Sequence, residues 1–278
     1  MAKCADDQAD PAPAPSVGSD YWSQSRRPLA SLILAAPLLA IYETGLICLG
    51  PHAMRNGAEA WLRQTLDLLG FNAYFLLPVL TVGILLGWHH VLRQPWHVAR
   101  SVIYRMAGEC LGLAVGLWLS WKFYRFFLQA ITPALGLSAG GTWGSFSCYV
   151  GELALETGQR HETVASFLGT ISCYLGAGIY EELLFRLILL SLGIGLLAWM
   201  RAGRAASVIG GIVLTSLLFS AAHYIGPSGD PFRWLTFLFR FLAGVFFAVL
   251  FRYRGFGIAV GTHAFYDVLV GLSSIADT

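Results

Sequence analysis

The chain has 278 residues, of which 56% are hydrophobic and only 12% charged, far from the quarter-charged composition of a soluble domain. Its formal net charge of +2 supports no nucleic-acid partner, so the arginines read as topology signals. Apolar runs of roughly 20 residues, long enough for a hydrocarbon core of about 30 Å, exclude a soluble fold, and none alternates with the period of two that a barrel strand needs. The expected fold is an all-α, polytopic integral membrane helical bundle, with the lipid bilayer as its first partner.

Residues 1–25, with the stretch DDQADPAPAPSVGSD, offer little to pack and are expected to form a disordered tail. No signal peptide is expected, because the first apolar run follows Arg26 and Arg27 and is long enough to remain as an anchor. That first span runs from about Pro28 to Leu49 and ends at Gly50 and Pro51. From Met54 to Leu69, apolar positions at helical spacing sit beside Arg55, Glu59, Arg63 and Asp67, the pattern of a helix lying in the interface.

A second span covers about Asn72–Trp88 and a third about Met106–Leu128. Between them, HHVLRQPWHVARSVIYR reads as a cytoplasmic loop in which His89, His90 and His97 are solvated. The Gly/Ser/Thr-rich stretch Pro133–Tyr149, followed by Glu152, Glu156 and Glu162, reads as the opposite side. Further spans follow at about Val164–Leu190, Ser207–Tyr224, Leu235–Leu250 and Gly257–Ser274. The total is about seven transmembrane helices plus the interfacial one, or eight if Leu187–Met200 crosses separately. Arg201, Arg204, Arg252 and Arg254 return to the side of Arg26 and Arg27, so the positive-inside rule expects a cytoplasmic N-terminus; the membrane is expected to be a bacterial inner membrane. The chain divides into the tail, N-terminal membrane helices over 26–160 and a C-terminal core over 161–278. Five cysteines, Cys4, Cys48, Cys110, Cys148 and Cys173, are odd in number and lack CxxC spacing; neither a disulfide framework nor a cysteine metal site is expected.

An ionisable side chain at bilayer depth costs at least ~2.5–3.5 kcal/mol to insert, so each one asks for a partner or a task. Three groups lie in the apolar segments of the C-terminal core. In GIYEELLFRL, Glu182 and Arg186 are four apart and form a helical ion pair, whereas Glu181 lies about 100° round the helix and is left over. In FSAAH, Phe219 and His223 are one turn apart, as are His263 and Asp267 in HAFYD. Each group alone is equally well a structural interhelical contact. Glu43 and Glu109, in other spans, read as structural.

If Gly193/Gly195 and Gly210/Gly211 bracket an interfacial excursion around Arg201 and Arg204, Glu181 and His223 lie roughly 18 Å, and His263 about 13 Å, from that side. The three then meet in one wet pocket beneath the cytoplasmic face. Helices running unbroken to Arg201 would leave His263 far shallower, so the broken arrangement is expected.

The order EExxxR (Glu181, Glu182, Arg186), FxxxH (Phe219, His223) and HxxxD (His263, Asp267), each on its own hydrophobic segment, resembles the CAAX-processing and bacteriocin-processing (CPBP, or Abi) family of intramembrane proteases, related to the type II CAAX prenyl endopeptidases. The resemblance covers about Val164–Ser274. It implies an endopeptidase acting on membrane-associated proteins or peptides, with prenylated C-termini among the family's substrates. Glu181 would activate water with help from His223, His263 would donate to the oxyanion, and Glu182 and Arg186 would fix the helix so that Glu181 points at the water. Phe219 would pack beside His223. Position 267 is Asp where the prenyl-endopeptidase branch carries Asn; an ionised Asp only accepts, so Asp267 would orient His263 or keep it protonated. No cofactor is required in this reading. A zinc version would use Glu181, His223 and His263 as ligands. A proton-coupled transporter and a non-catalytic immunity or scaffold protein are the alternatives.

Overall fold

The computed structural model describes residues 17–50, 55–131, 160–226 and 229–276, and side chains within 21–50, 55–131, 169–226 and 229–273. The expectations for residues 1–16, for Pro133–Tyr149, for Glu152 and Glu156 and for the Glu162 side chain fall outside them.

The first helix, α1 (Val17–Ser25), corrects the reading of residues 1–25 as a tail throughout. It is held by contacts that no local pattern announces. Tyr21 donates to Glu109 at 2.5 Å, Trp22 lies under the Arg254 guanidinium at 3.6 Å, and Ser25 accepts from Arg254 at 3.1 Å. Burial, then the bond to Glu109, pushes the Tyr21 phenol above its ordinary value, so it stays a donor. Arg254, read from sequence as a topology signal, is buried and grips Glu109 through Nε at 2.6 Å and Nη2 at 2.5 Å.

The long helices follow the hydrophobic segments. Helix α2 (Pro28–Leu49) opens on a proline, whose fixed φ suits a first turn, and ends at Gly50 with φ +54°. The amphipathic α3 (Gly57–Leu68) is too short to cross, and α4 (Leu76–Val91) is a shorter apolar helix. The 32-residue α5 (Arg100–Ile131) absorbs part of the expected loop. His89 is not solvated: it is buried in the last turn of α4, edge-on to Trp96 at 4.6 Å. Next come α6 (Arg160–Glu181), a π-helical segment (Glu182–Leu190), α7 (Ser191–Trp199), α8 (Arg204–Ala222), α9 (Trp234–Arg254) and α10 (Phe256–Ala276). Among the described residues six helices are long and apolar enough to cross a membrane, Gly169–Trp199 counting as one. There is therefore no separate eighth span at Leu187–Met200.

That continuous helix also overturns the expected break at Gly193 and Gly195; the chain reverses only at Met200–Gly203, with Arg201 at φ +63°. Glycine is common inside membrane helices, so the pair was a poor stop signal. The three groups nevertheless meet, because the α7–α8 hairpin overshoots. Phe219 lies about 15 residues into α8, whereas Phe247 lies about seven from the end of α9; the hairpin thus projects roughly 12 Å beyond the α9–α10 turn.

Helix α10 is the most buried of the six and packs on α2, α5, α6 and α9. Small residues allow this. A Cβ on Gly178 of α6 would fall 2.6 Å from the Ala264 backbone nitrogen of α10, so the two backbones touch, as small-residue helix interfaces permit. Gly255, at φ +91° against Arg26, makes the turn into α10. Cys173 is disulfide-bonded, contrary to the expectation of no bridges, and its partner lies outside the described residues.

Candidate active site

Gly178 and Ala264 bring α6 against α10 one turn from Glu181 and beside His263. Glu181 closes α6 and Glu182 opens the π-helical segment, a wide-turn geometry that is frequent at functional sites. Both carboxylates are buried. Glu182 Oε1 lies 3.1 Å from Arg186 Nη1, the pair that the spacing predicts, and also 2.7 Å from His263 Nδ1. His263 is thus oriented by Glu182; Asp267, expected in that role, stands 3.6 Å from the other ring nitrogen, Nε2.

The aromatic setting fixes these groups laterally. The Arg186 guanidinium lies 4.2 Å from the Phe219 ring centre, and the His263 imidazole stacks on Phe247 at 4.4 Å with 17° between planes. Phe219 meets His223 edge-on at 4.9 Å and also contacts Phe185. Its place is therefore wider than the expected packing beside His223, since it also carries Arg186.

His223 caps the end of α8, with Nδ1 2.8 Å from the Phe219 carbonyl oxygen. A carbonyl only accepts, so Nδ1 carries the proton and the neutral ring keeps its lone pair on Nε2. Glu181 divides its two oxygens. Oε1 accepts from Asn56 Nδ2 at 2.8 Å, while Oε2 has no hydrogen-bond partner among the described residues and lies 3.8 Å from His263 Nε2. Asn56, which the sequence reading did not single out, is the N-cap of α3; its position before an amphipathic helix signals a cap, but nothing local signals Glu181.

Glu181, His223, His263 and Asp267 line one cavity of about 340 Å³, which extends past Asn56, Trp61 and Gln64 of α3 to Gly226 and Asp230 after α8. Arg55 and Arg240 flank it, paired with Glu59 and Asp230 respectively. Burial pulls the Arg55 guanidinium down, but Glu59 outweighs this and leaves it above its ordinary value. The mouth lies at the end of the bundle where α2 finishes and α8 turns into α9. Helix α1 and the α9–α10 turn sit at the other end. A cytoplasmic N-terminus and a pocket beneath the cytoplasmic face are therefore mutually exclusive.

The zinc version does not fit this arrangement. Among the described residues no three His, Cys, Asp or Glu side chains form a metal-holding group. Glu43, meanwhile, accepts from Tyr180 at 2.9 Å outside the cavity lining.

Residues 163–269 match the family model described as type II CAAX prenyl endopeptidase Rce1-like. No curated protein and no solved structure matches the chain significantly.

Proposed function

We propose that this chain, whose residues 163–269 match the family model described as type II CAAX prenyl endopeptidase Rce1-like, is an intramembrane endopeptidase that hydrolyses membrane-associated peptides or proteins with a water activated by Glu181 and His223. One observation carries the reading: Glu181, a buried carboxylate whose Oε2 has no hydrogen-bond partner among the described residues, lines a cavity shared with imidazoles from two other helices.

In the proposed step, Glu181 Oε2 takes a proton from water while His223 Nε2 accepts a hydrogen bond from it. The water oxygen attacks the scissile carbonyl carbon. The carbonyl oxygen becomes an anion, stabilised by a proton on His263 Nε2; Glu182 holds Nδ1 of the same ring at 2.7 Å. Collapse breaks the C–N bond, and the proton on Glu181 passes to the departing amine. Asp267, 3.6 Å from His263 Nε2, supplies negative charge beside the ring rather than a donor to the oxyanion. The proposed reaction needs no metal.

The test is cleavage of a fluorogenic, membrane-anchored, prenylated peptide by the purified protein in lipid nanodiscs. Glu181→Gln and His223→Ala should each lower turnover by about 10²-fold or more. Cleavage that survives both substitutions rejects the assignment, and proton flux without cleavage favours the transporter.

A further inference from the structure

We infer that Asn56, from the interfacial helix and outside the family-matched region, is a positioning residue that holds Glu181 ready to accept a proton. The inference rests on the functional reading above for its consequence, but its structural content stands apart from it. The Asn56 side chain makes two bonds that fix each other. Its Oδ1 accepts from the Ala58 backbone N–H at 2.8 Å, and its Nδ2 donates to Glu181 Oε1 at 2.8 Å. Rotating the amide by 180° would set an NH₂ against an N–H and an oxygen against a carboxylate, so only one orientation is stable.

The donor is therefore presented by the start of α3, and α3 is itself pinned. Buried Glu59, one turn on, accepts from Tyr42 of α2 and pairs with Arg55 and Arg63. A chain of contacts thus runs from α2 through Glu59 to the cap of α3 and on to Glu181. With Oε1 occupied, the carboxylate cannot rotate freely, and Oε2 is the oxygen left without a hydrogen-bond partner among the described residues. An amide donor favours the ionised carboxylate without competing for a proton, as a carboxyl or an imidazole would. The other charged or titratable groups around Glu181 are His223 of α8, His263 and Asp267 of α10, and Glu182 and Arg186 of the π-helical segment.

The discriminating variant is Asn56→Asp. Aspartate caps helices as well as asparagine, so the bond to Ala58 and the fold of α3 persist, while the donor to Glu181 becomes a second carboxylate. Asn56→Ser likewise keeps a capping oxygen and removes the donor without adding charge. Two readouts are taken on the full-length protein in nanodiscs, with thermal unfolding confirming that both variants fold. In the first, cleavage of the prenylated fluorogenic peptide, both variants should lose kcat by about 10–100-fold with KM little changed. The acid limb of the kcat–pH profile should move to higher pH in Asn56→Asp, by about one unit or more, and less in Asn56→Ser.

The second readout needs no activity. The infrared carbonyl band of protonated Glu181, isolated by subtracting the spectrum of Glu181→Gln, should appear at higher pH in Asn56→Asp than in wild type. An unchanged infrared midpoint, or a wild-type kcat and pH profile in Asn56→Asp, overturns the inference and leaves Asn56 a helix cap. If Glu181→Gln cleaves as fast as wild type, the functional reading fails, and the infrared midpoint alone decides the role of Asn56.

Discussion

Glu182 Oε1 serves two partners at once, Arg186 at 3.1 Å and His263 Nδ1 at 2.7 Å. The ion pair visible in the sequence is therefore also the support of an imidazole on another helix. Arg186→Ala takes the guanidinium from buried Glu182 and empties the face of Phe219. Loss of one partner of a buried pair costs about 3–5 kcal/mol, so detergent-solubilised Arg186→Ala should unfold at markedly lower temperature and cleave little. Arg186→Lys keeps the charge but not the planar stack, and should fall between the two. A melting curve for Arg186→Ala that overlays wild type would show the pair to be dispensable.

Gly178 sets the distance between the helices that carry Glu181 and His263. A Cβ there would meet backbone atoms of Ala264, which cannot swing aside as a side-chain tip could. Gly178→Val should destabilise the bundle by about 1–3 kcal/mol through overpacking and, by separating the two groups, lower cleavage by about 10²-fold. Gly116, with open space where its Cβ would project, is the control: Gly116→Ala should leave both the melting temperature and turnover near wild type.

What the sequence revealed and what it hid divide along one physical line. Pairings within a helix were legible: Glu182 with Arg186, Phe219 with His223, and His263 near Asp267 all follow from four-residue spacing. Spans were legible too, because lipid demands long apolar runs, and α2 begins and ends where its proline and glycine say. Contacts between segments were not. Nothing local ties Glu182 to His263, Asn56 to Glu181 or Arg254 to Glu109, and nothing marks Glu182–Leu190 as π-helical. Helix α1 was missed for the same reason, since the contacts that hold it come from α5 and α9. The run to Trp199 was misjudged because two glycines were weighed as breakers in a solvent where helices tolerate them.

The cavity mouth and the N-terminal helix lie at opposite ends of the bundle, and this can be tested without knowing the substrate. Gln64 is exposed on α3 beside the mouth, and Ala205 is exposed at the start of α8, at the end where α1 lies. In sealed cells, and in a background from which the five native cysteines have been removed, a membrane-impermeant maleimide should label only one of Gln64→Cys and Ala205→Cys. The positive-inside rule puts the N-terminus in the cytoplasm and so predicts labelling at position 64. Equal labelling of both sites in intact cells would contradict the opposed arrangement itself, whereas labelling at 205 alone would invert the chain in the membrane.

Metal dependence separates two chemistries that use the same side chains. Zinc needs three protein donors around one point at about 2.0–2.2 Å. Among the described residues no three His, Cys, Asp or Glu side chains form a metal-holding group. Protein dialysed against 1,10-phenanthroline and then against metal-free buffer should therefore keep its turnover on the prenylated peptide, with less than stoichiometric zinc by elemental analysis. A loss of turnover reversed by adding zinc would overturn the metal-free reading, because it would require these groups to reorganise about an ion before water could be activated.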